Sequence, residues 1–197
     1  MFNFLQVHYK LKKYKHLIVS PHYTHATMVR MINKEIENKK AGLPSGIKLK
    51  LNAITNFSMI NKLYEASEAG VSIQMIVRGI CCLIPGVKGM SENIEVISIV
   101  DRYLEHPRVY VFENAGNRKV YISSADFMTR NIENRVEVAA PIYDLALQKQ
   151  ILDVFDITWK DKVKARIINK TPQNKLKATS AEPVRSQWAI YDYYKNV

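Results

Sequence analysis

The residues best suited to chemistry lie between positions 101 and 137, in the stretch DRYLEHPRVYVFENAGNRKVYISSADFMTRNIENRVE. Outside the hairpin tip at 113–118 it holds one histidine, four arginines (Arg102, Arg108, Arg130 and Arg135), two adjacent serines and several carboxylates, set between short runs of β-type alternation. That composition is expected where strand ends converge on a phosphate. Guanidinium forks bind phosphate oxygens in pairs, a carboxylate orients the fork, and an imidazole gives or takes a proton. His106, in Glu105-His106-Pro107-Arg108, stands just before an alternating run, so it belongs at the start of a strand and not in a helix. A histidine in such a place also serves as a surface or hydrogen-bonded structural residue, and the local sequence leaves both roles open.

The elements that must position these residues alternate in type. A short apolar run at 16–21, stopped by Pro21, reads as a buried strand; a helix follows, with Thr24 as its N-cap, Met28, Met31, Ile32 and Ile36 on its apolar stripe, and Gly42 past its end. His22 and His25 stand at the start of that helix, where they could share an anion with backbone N–H groups or serve only in capping or exposed roles. Residues 47–51 alternate as a strand with Lys48 and Lys50 on one face, Ser58 caps a helix ending at Gly70, and 71–77 reads as a strand that delivers Arg78 and Gly79. Residues 94–100 form a further strand delivering Asp101 and Arg102, and 109–112 with 119–122 form a hairpin. A strand begins at 135, putting Arg135 and Glu137 on one face; 145–159 is an amphipathic helix. The tail is strand-like at 163–168, a polar linker at 171–182 and a last helix at 185–194. Strands and helices in alternation predict α/β architecture, whose ligand crevice lies beyond the carboxyl ends of the strands.

Composition narrows the partners. Of 197 residues 47% are hydrophobic and 24% charged, an ordinary globular balance, while Lys+Arg 29 against Asp+Glu 18 gives a formal charge of +11. Such an excess points to a polyanion: nucleic acid, anionic lipid headgroup or a phosphate compound. Cys81 and Cys82 are adjacent, a poor geometry for a bridge and the wrong spacing for a metal, so a cytoplasmic chain without zinc is expected. No apolar run approaches the ~20 residues of a membrane span, and the loop at 81–89, CCLIPGVKG, does not match the GxxxxGK[ST] spacing of a Walker-type nucleotide fold.

The run from 77 to 141, VRGICCLIPGVKGMSENIEVISIVDRYLEHPRVYVFENAGNRKVYISSADFMTRNIENRVEVAAP, closely resembles the carboxyl-terminal part of the bacterial long-chain polyphosphate kinases. The likeness extends more weakly to YKHLIVSP, VKARIINK and the final AIYDYYK. It implies an α/β, phospholipase D-like mixed sheet flanked by helices over 1–170, with 171–197 a linker and a terminal helix packed on it. It also implies reversible transfer of the terminal phosphate of ATP to polyphosphate through a phosphohistidine in a preceding domain. Thr24-His25-Ala26 echoes the context of that histidine but is followed by Thr27 where the family has lysine, so His25 is not expected to be the nucleophile. By the resemblance, Arg78 in VRG and His106 in EHPRVY correspond to phosphate and nucleotide contacts, and Arg135 and Glu137 in NRVEVAAP to an active-site pair. In the phospholipase D superfamily each half supplies an HxKx4D motif. That register here reads His106, Arg108 and Glu113, and the exchange of lysine and aspartate argues against a nucleophilic His106.

These roles imply a mechanism. Arg78 and Arg135 would clamp phosphate oxygens, Glu137 would hold an arginine in place, and His106 would bond the transferring phosphate or donate a proton, with Asp126 a weaker candidate for orienting the group. For the whole enzyme the resemblance implies ATP or ADP and polyphosphate as partners, upstream domains of the same polypeptide, a homo-oligomer, and magnesium held mainly outside this chain. It implies no transmembrane segment, a cytoplasmic enzyme with room for membrane association of the full complex, and no activity in the fragment alone. Two other readings stay open here. A phospholipase D-like phosphodiesterase or nuclease would need the missing lysine, and a basic nucleic-acid module would need aromatics interleaved with a basic stripe.

Overall fold

Alternation decides which residues of a strand share a face of the sheet. The computed structural model describes residues 14–171, 175–177 and 183–195. Within them β1 (Ile18–Val19) precedes helix α1 (Thr24–Lys40), β2 (Ile47–Leu51), helix α2 (Phe57–Glu68), β3 (Ile73–Val77) and β4 (Ile94–Ser98). Then come β5 (Arg108–Phe112), β6 (Lys119–Ser123), β7 (Val138–Ile142), helix α3 (Leu145–Trp159), β8 (Arg166–Ile168) and helix α4 (Ser186–Lys195). The eight strands form one mixed sheet in the order β1-β7-β6-β5-β2-β3-β4-β8; β2, β3 and β4 are parallel and the other neighbours antiparallel. The phospholipase D-like mixed sheet flanked by helices is therefore what the chain forms.

On one face Ile47, Leu49 and Leu51 of β2, Met75 and Val77 of β3, and Tyr110 and Phe112 of β5 pack with Met28, Ile32, Met59 and Leu63 of α1 and α2. On the other, Ile76 and Ile97 pack with Phe155, and Val109, Val111 and Val120 with Ile151 and Leu152, so α3 covers that face. Lys48 and Lys50 do share this second face, each neutralised: Lys48 Nζ lies 2.6 Å from Asp156 and Lys50 Nζ 2.6 Å from Glu105. The terminal helix α4 lies against α3, where Tyr193 donates to Asp153 at 2.9 Å.

Two helix starts differ from expectation. Thr24 is the first residue of α1 and caps nothing; its Oγ1 accepts a bond from buried Ser20 at 2.7 Å. In α2 the cap is Asn56, in extended backbone, whose Oδ1 accepts the Met59 N–H at 3.0 Å, while Ser58 sits in the first turn and meets His25 Nε2 at 2.7 Å. The end of α1 is as read: Gly42 is left-handed, its N–H bonds Lys39 O and the Leu43 N–H bonds Asn38 O. Residues 172–174 and 178–182 of the expected linker lie outside the described residues.

Register brings strand ends together. Leu51 pairs with Val77, Lys50 with Val109, Arg108 with Ser123, and Ser123 with Ala139. The carboxyl ends of β2, β3 and β6 therefore meet the amino ends of β5 and β7 at one end of the sheet, which is where Arg78, His106, Arg135 and Glu137 emerge. At the far end, the β5–β6 turn puts Asn114, Ala115 and Gly116 at positive φ and is pinned by buried Glu35, which accepts the N–H groups of Gly46 (3.0 Å) and Asn114 (2.7 Å).

Candidate functional site

The chain continues past β2 as an extended segment, 52–56, held on both sides. Ile54 bridges Cys81 on one flank and Phe127 on the other, with backbone bonds from Ile54 to Ile80, Cys82 to Ile54, Phe127 to Ala53, and Thr55 and Asn56 to Phe127. Gly79 makes the close approach possible: a Cβ there would lie 2.7 Å from Asn52 O. Asn52 thus stands between Arg78 on one side and Asp126 on the other.

Five residues close a ring around this point, the last link being the His106 carbonyl. Asp126 Oδ1 accepts the N–H groups of Asn52 (2.6 Å) and Ala53 (3.2 Å), and its Oδ2 accepts Asn52 Nδ2 (3.3 Å) and Arg108 Nη2 (2.9 Å). Asn52 Oδ1 accepts from Arg78 Nε, Arg78 Nη2 lies 3.1 Å from His106 Nε2, and Arg108 Nη1 donates to His106 O at 3.2 Å. Arginine only donates, so His106 Nε2 is the acceptor and its proton sits on Nδ1. Burial alone would raise the Asp126 carboxyl, but Arg108 and the Asn52 and Ala53 N–H groups outweigh it and hold it below the usual carboxylate range. His106 is exposed and Arg78 half-buried, so the ring offers an imidazole and a guanidinium edge to solvent.

The other expected residues share the same end of the sheet but not the ring. Arg135 follows a π-helical turn, Arg130–Asn134, is exposed, and makes no side-chain hydrogen bond or ion pair with the described residues. Glu137 does not hold an arginine: Oε1 accepts Asn131 Nδ2 at 2.6 Å and Oε2 accepts the Ser124 hydroxyl. Its place just ahead of β7, across from the Ser123-Ser124 turn, sets that partner. Glu113, the third position of the HxKx4D register, is also displaced: β5 runs from Arg108 to Phe112, so Glu113 lies at the opposite end of the sheet, paired with Arg118 through two 3.0 Å contacts. The carboxylate that meets Arg108 is Asp126. Sequence reasoning passed over Asn52, whose signal was its position just past an alternating strand, the same class of position as Arg78.

The donors around the site do not fit a resident magnesium. Asp126, Glu105 and Glu137 are each occupied by guanidinium, ammonium, amide or hydroxyl donors, and exposed Arg130 and Arg135 add positive charge beside them. Among the described residues no cluster of three or more His, Cys, Asp or Glu could hold a metal. The hollow behind Arg78, lined by Lys50, Asn52 and Glu105, is about 10 Å³, too small for a nucleotide. Larger hollows of about 600 and 650 Å³ lie along α1 and beside the hairpin and include neither Arg78 nor His106. Substrate at this site would lie on the surface, against a face where Phe57, Ile80 and Leu104 are also exposed.

Residues 17–187 match the family model described as polyphosphate kinase C-terminal domain 2. The chain is 50% identical over 198 aligned residues to polyphosphate kinases of Klebsiella pneumoniae and Vibrio cholerae, and 48% to that of Escherichia coli K12; all of this chain is covered, and 28–29% of theirs. It spans less than a third of the length of these curated relatives. The crystal structure of polyphosphate kinase from Porphyromonas gingivalis superposes over 99% of this chain and 30% of its own with a TM-score of 0.94 at 42% identity. Nuc of Salmonella typhimurium, a phospholipase D family member, matches over 78% of this chain at a TM-score of 0.58 and 15% identity, a likeness of fold. No helix among the described residues is long and apolar enough to cross a membrane. On family model, relatives and fold together, this chain belongs to the polyphosphate kinase family, as its carboxyl-terminal domain.

Proposed function

We propose that this domain supplies the phosphate-holding side of a site that transfers the terminal phosphate of ATP reversibly to polyphosphate. The observation that carries the proposal is the Arg78–His106 contact, fixed from behind by Asn52, Arg108 and Asp126 and open to solvent in front. A guanidinium on a rigid strand end binds two phosphate oxygens at once and offsets charge developing on the transferring group. His106, whose Nε2 accepts from Arg78 and whose Nδ1 carries the proton, hydrogen-bonds the phosphate through that N–H or donates the proton to it. Arg135, without a protein partner among the described residues, completes the clamp on the polyanion, and Glu137 orders the turn between Ser124 and Asn131 beside it.

Nucleophile and magnesium are then supplied from elsewhere. The phosphorylated histidine belongs to an upstream domain of the same polypeptide, packed over the exposed Phe57, Ile80 and Leu104 at this end of the sheet. Magnesium arrives on the phosphates of ATP or ADP. The complete enzyme is a cytoplasmic homo-oligomer in this reading. The test is a titration of this chain with long polyphosphate and with AMP at rising salt: affinity for polyphosphate falls steeply with ionic strength and drops in R78A. Equal binding of AMP and polyphosphate at moderate salt refutes the proposal.

A further inference from the structure

His106 is carried on an irregular segment, 100–107, between β4 and β5. Among the described residues, no backbone–backbone hydrogen bond holds any residue of this segment. It is held by side chains, and three of them, Arg185, Gln187 and Trp188, lie at or just before the start of the terminal helix. Gln187 on the first turn of α4 pairs with Tyr103 as a neighbouring strand would: its Oε1 accepts the Tyr103 N–H at 3.0 Å and its Nε2 donates to Tyr103 O at 2.8 Å. The same Nε2 reaches Glu105 Oε1 at 3.0 Å, and Glu105 Oε2 takes Lys50 Nζ at 2.6 Å. One residue before the helix, Arg185 grips the buried Asp101 carboxylate with two contacts, 2.8 and 2.6 Å. Trp188 meets the Tyr103 ring edge-on and lies under the Arg102 and Arg185 guanidiniums.

The helix start is itself anchored. Buried Asp161 accepts the Ser186 N–H at 2.7 Å through Oδ2, and the N–H groups of Val163, Lys164 and Ala165 through Oδ1. A rigid point near the carboxyl terminus is thus tied to three of the residues that precede His106. On the other side, Arg78 and Arg108 fix the imidazole and the carbonyl of His106. Both ends of the segment's last turn are therefore defined, one by the ring around Asn52 and one by Gln187.

We propose that α4, through Gln187, is a positioning element for His106. Gln187 touches no substrate in this account; it sets where the imidazole stands relative to Arg78. The inference rests on His106 contacting the reacting phosphate. A displacement of about 1 Å in a catalytic group costs on the order of 100-fold in rate, so loss of Gln187 lowers kcat by roughly 10- to 100-fold and leaves KM for ATP nearly unchanged.

The experiment is a double-mutant cycle in a full-length polyphosphate kinase carrying this domain. Q187M keeps the size and helix propensity of glutamine and removes all three bonds; Q187E keeps the acceptor for Tyr103 N–H, loses both donors and faces Glu105 with like charge. Both variants are compared with H106A and with Q187M/H106A, reading kcat, KM and thermal midpoint. The expected result is a lower kcat with unchanged KM and midpoint in Q187M, a larger loss in Q187E, and no further loss when Q187M is added to H106A. Full activity in both Gln187 variants while H106A is impaired overturns the inference alone, as does a Q187M effect that multiplies undiminished in the H106A background. An H106A enzyme of wild-type activity overturns the reading of the site beneath it.

Discussion

Replacing Asp126 by alanine removes the acceptor that holds three parts of the ring together. Its side chain is only 8% exposed and that of Arg108 19%, so the pair is largely withdrawn from water. The change strands the Asn52 and Ala53 N–H groups and leaves Arg108 without its carboxylate, in a guanidinium whose Nε is already buried without a partner. Breaking a buried, hydrogen-bonded ion pair costs about 3–5 kcal/mol, which in a domain of this size lowers Tm by roughly 6–20 °C. D126N keeps an oxygen for the two backbone donors and loses the ion pair and the bond from Asn52 Nδ2, a cost of about 1–3 kcal/mol. Thermal and urea denaturation of the wild type and both variants measure the stability terms, and phosphotransfer by the corresponding full-length enzymes reads the effect on Arg78 and His106. A D126A chain melting within about 2 °C of wild type, well short of the fall expected for a lost buried pair, with phosphotransfer intact in the full-length enzyme, would refute the role given to this carboxylate.

Stability should fall in acid. Arg185 holds Asp101 below the usual range, while Glu105, Asp126 and Asp161 are held low by their donors despite burial. Their folded-state values lie below the unfolded ones of 3.8 for Asp and 4.5 for Glu, so their stabilisation is complete above pH 4.5 and is lost as pH falls through the lower, folded values. Glu35, raised mainly by burial, works in the opposite sense and softens the decline without reversing it. Urea midpoints measured from pH 7 to pH 3 that stay flat would contradict this. Separately, this chain incubated with labelled ATP and magnesium should acquire no acid-labile label, because the proposed function puts the nucleophile of the covalent route in another domain. Label on His106 would show that the nucleophile has been assigned to the wrong place.

Much of this arrangement was legible in the sequence, and the exceptions share a cause. Strand alternation in Ile47–Leu51 and Arg108–Phe112 fixed which residues share a face of the sheet, and Gly42 fixed the end of α1, because those signals depend on near neighbours. Asn56 and Ser58 are both cap residues two positions apart; the choice fell to Asn56 because the helix must bury Met59, Ile60 and Leu63 against the sheet. Glu113 was placed by counting along a motif, but five residues of extended β5 carry it to the far end of the sheet. The partners of Arg108, Arg78 and Tyr103 are Asp126, Asn52 and Gln187, at separations of 18, 26 and 84 positions. Only the strand order, which lays β2 between β3 and β5 and returns the chain terminus to the segment after β4, brings them together. Glu137 was read as the partner of an arginine from its spacing and from the pair the resemblance implied, and the turn at Ser123-Ser124 claims it instead.

The central claim is that Arg78 and His106 act together on the transferring phosphate. Its most direct measurement is the rate of polyphosphate synthesis from ATP by full-length enzyme carrying R78A, H106A or both, with folding verified by thermal midpoint. The account predicts losses on the order of 100-fold or more for each single change, and a double variant little worse than the poorer single one, because the two groups hold one phosphate between them. Wild-type rates in H106A, or single losses that multiply in full in the double variant, would contradict it.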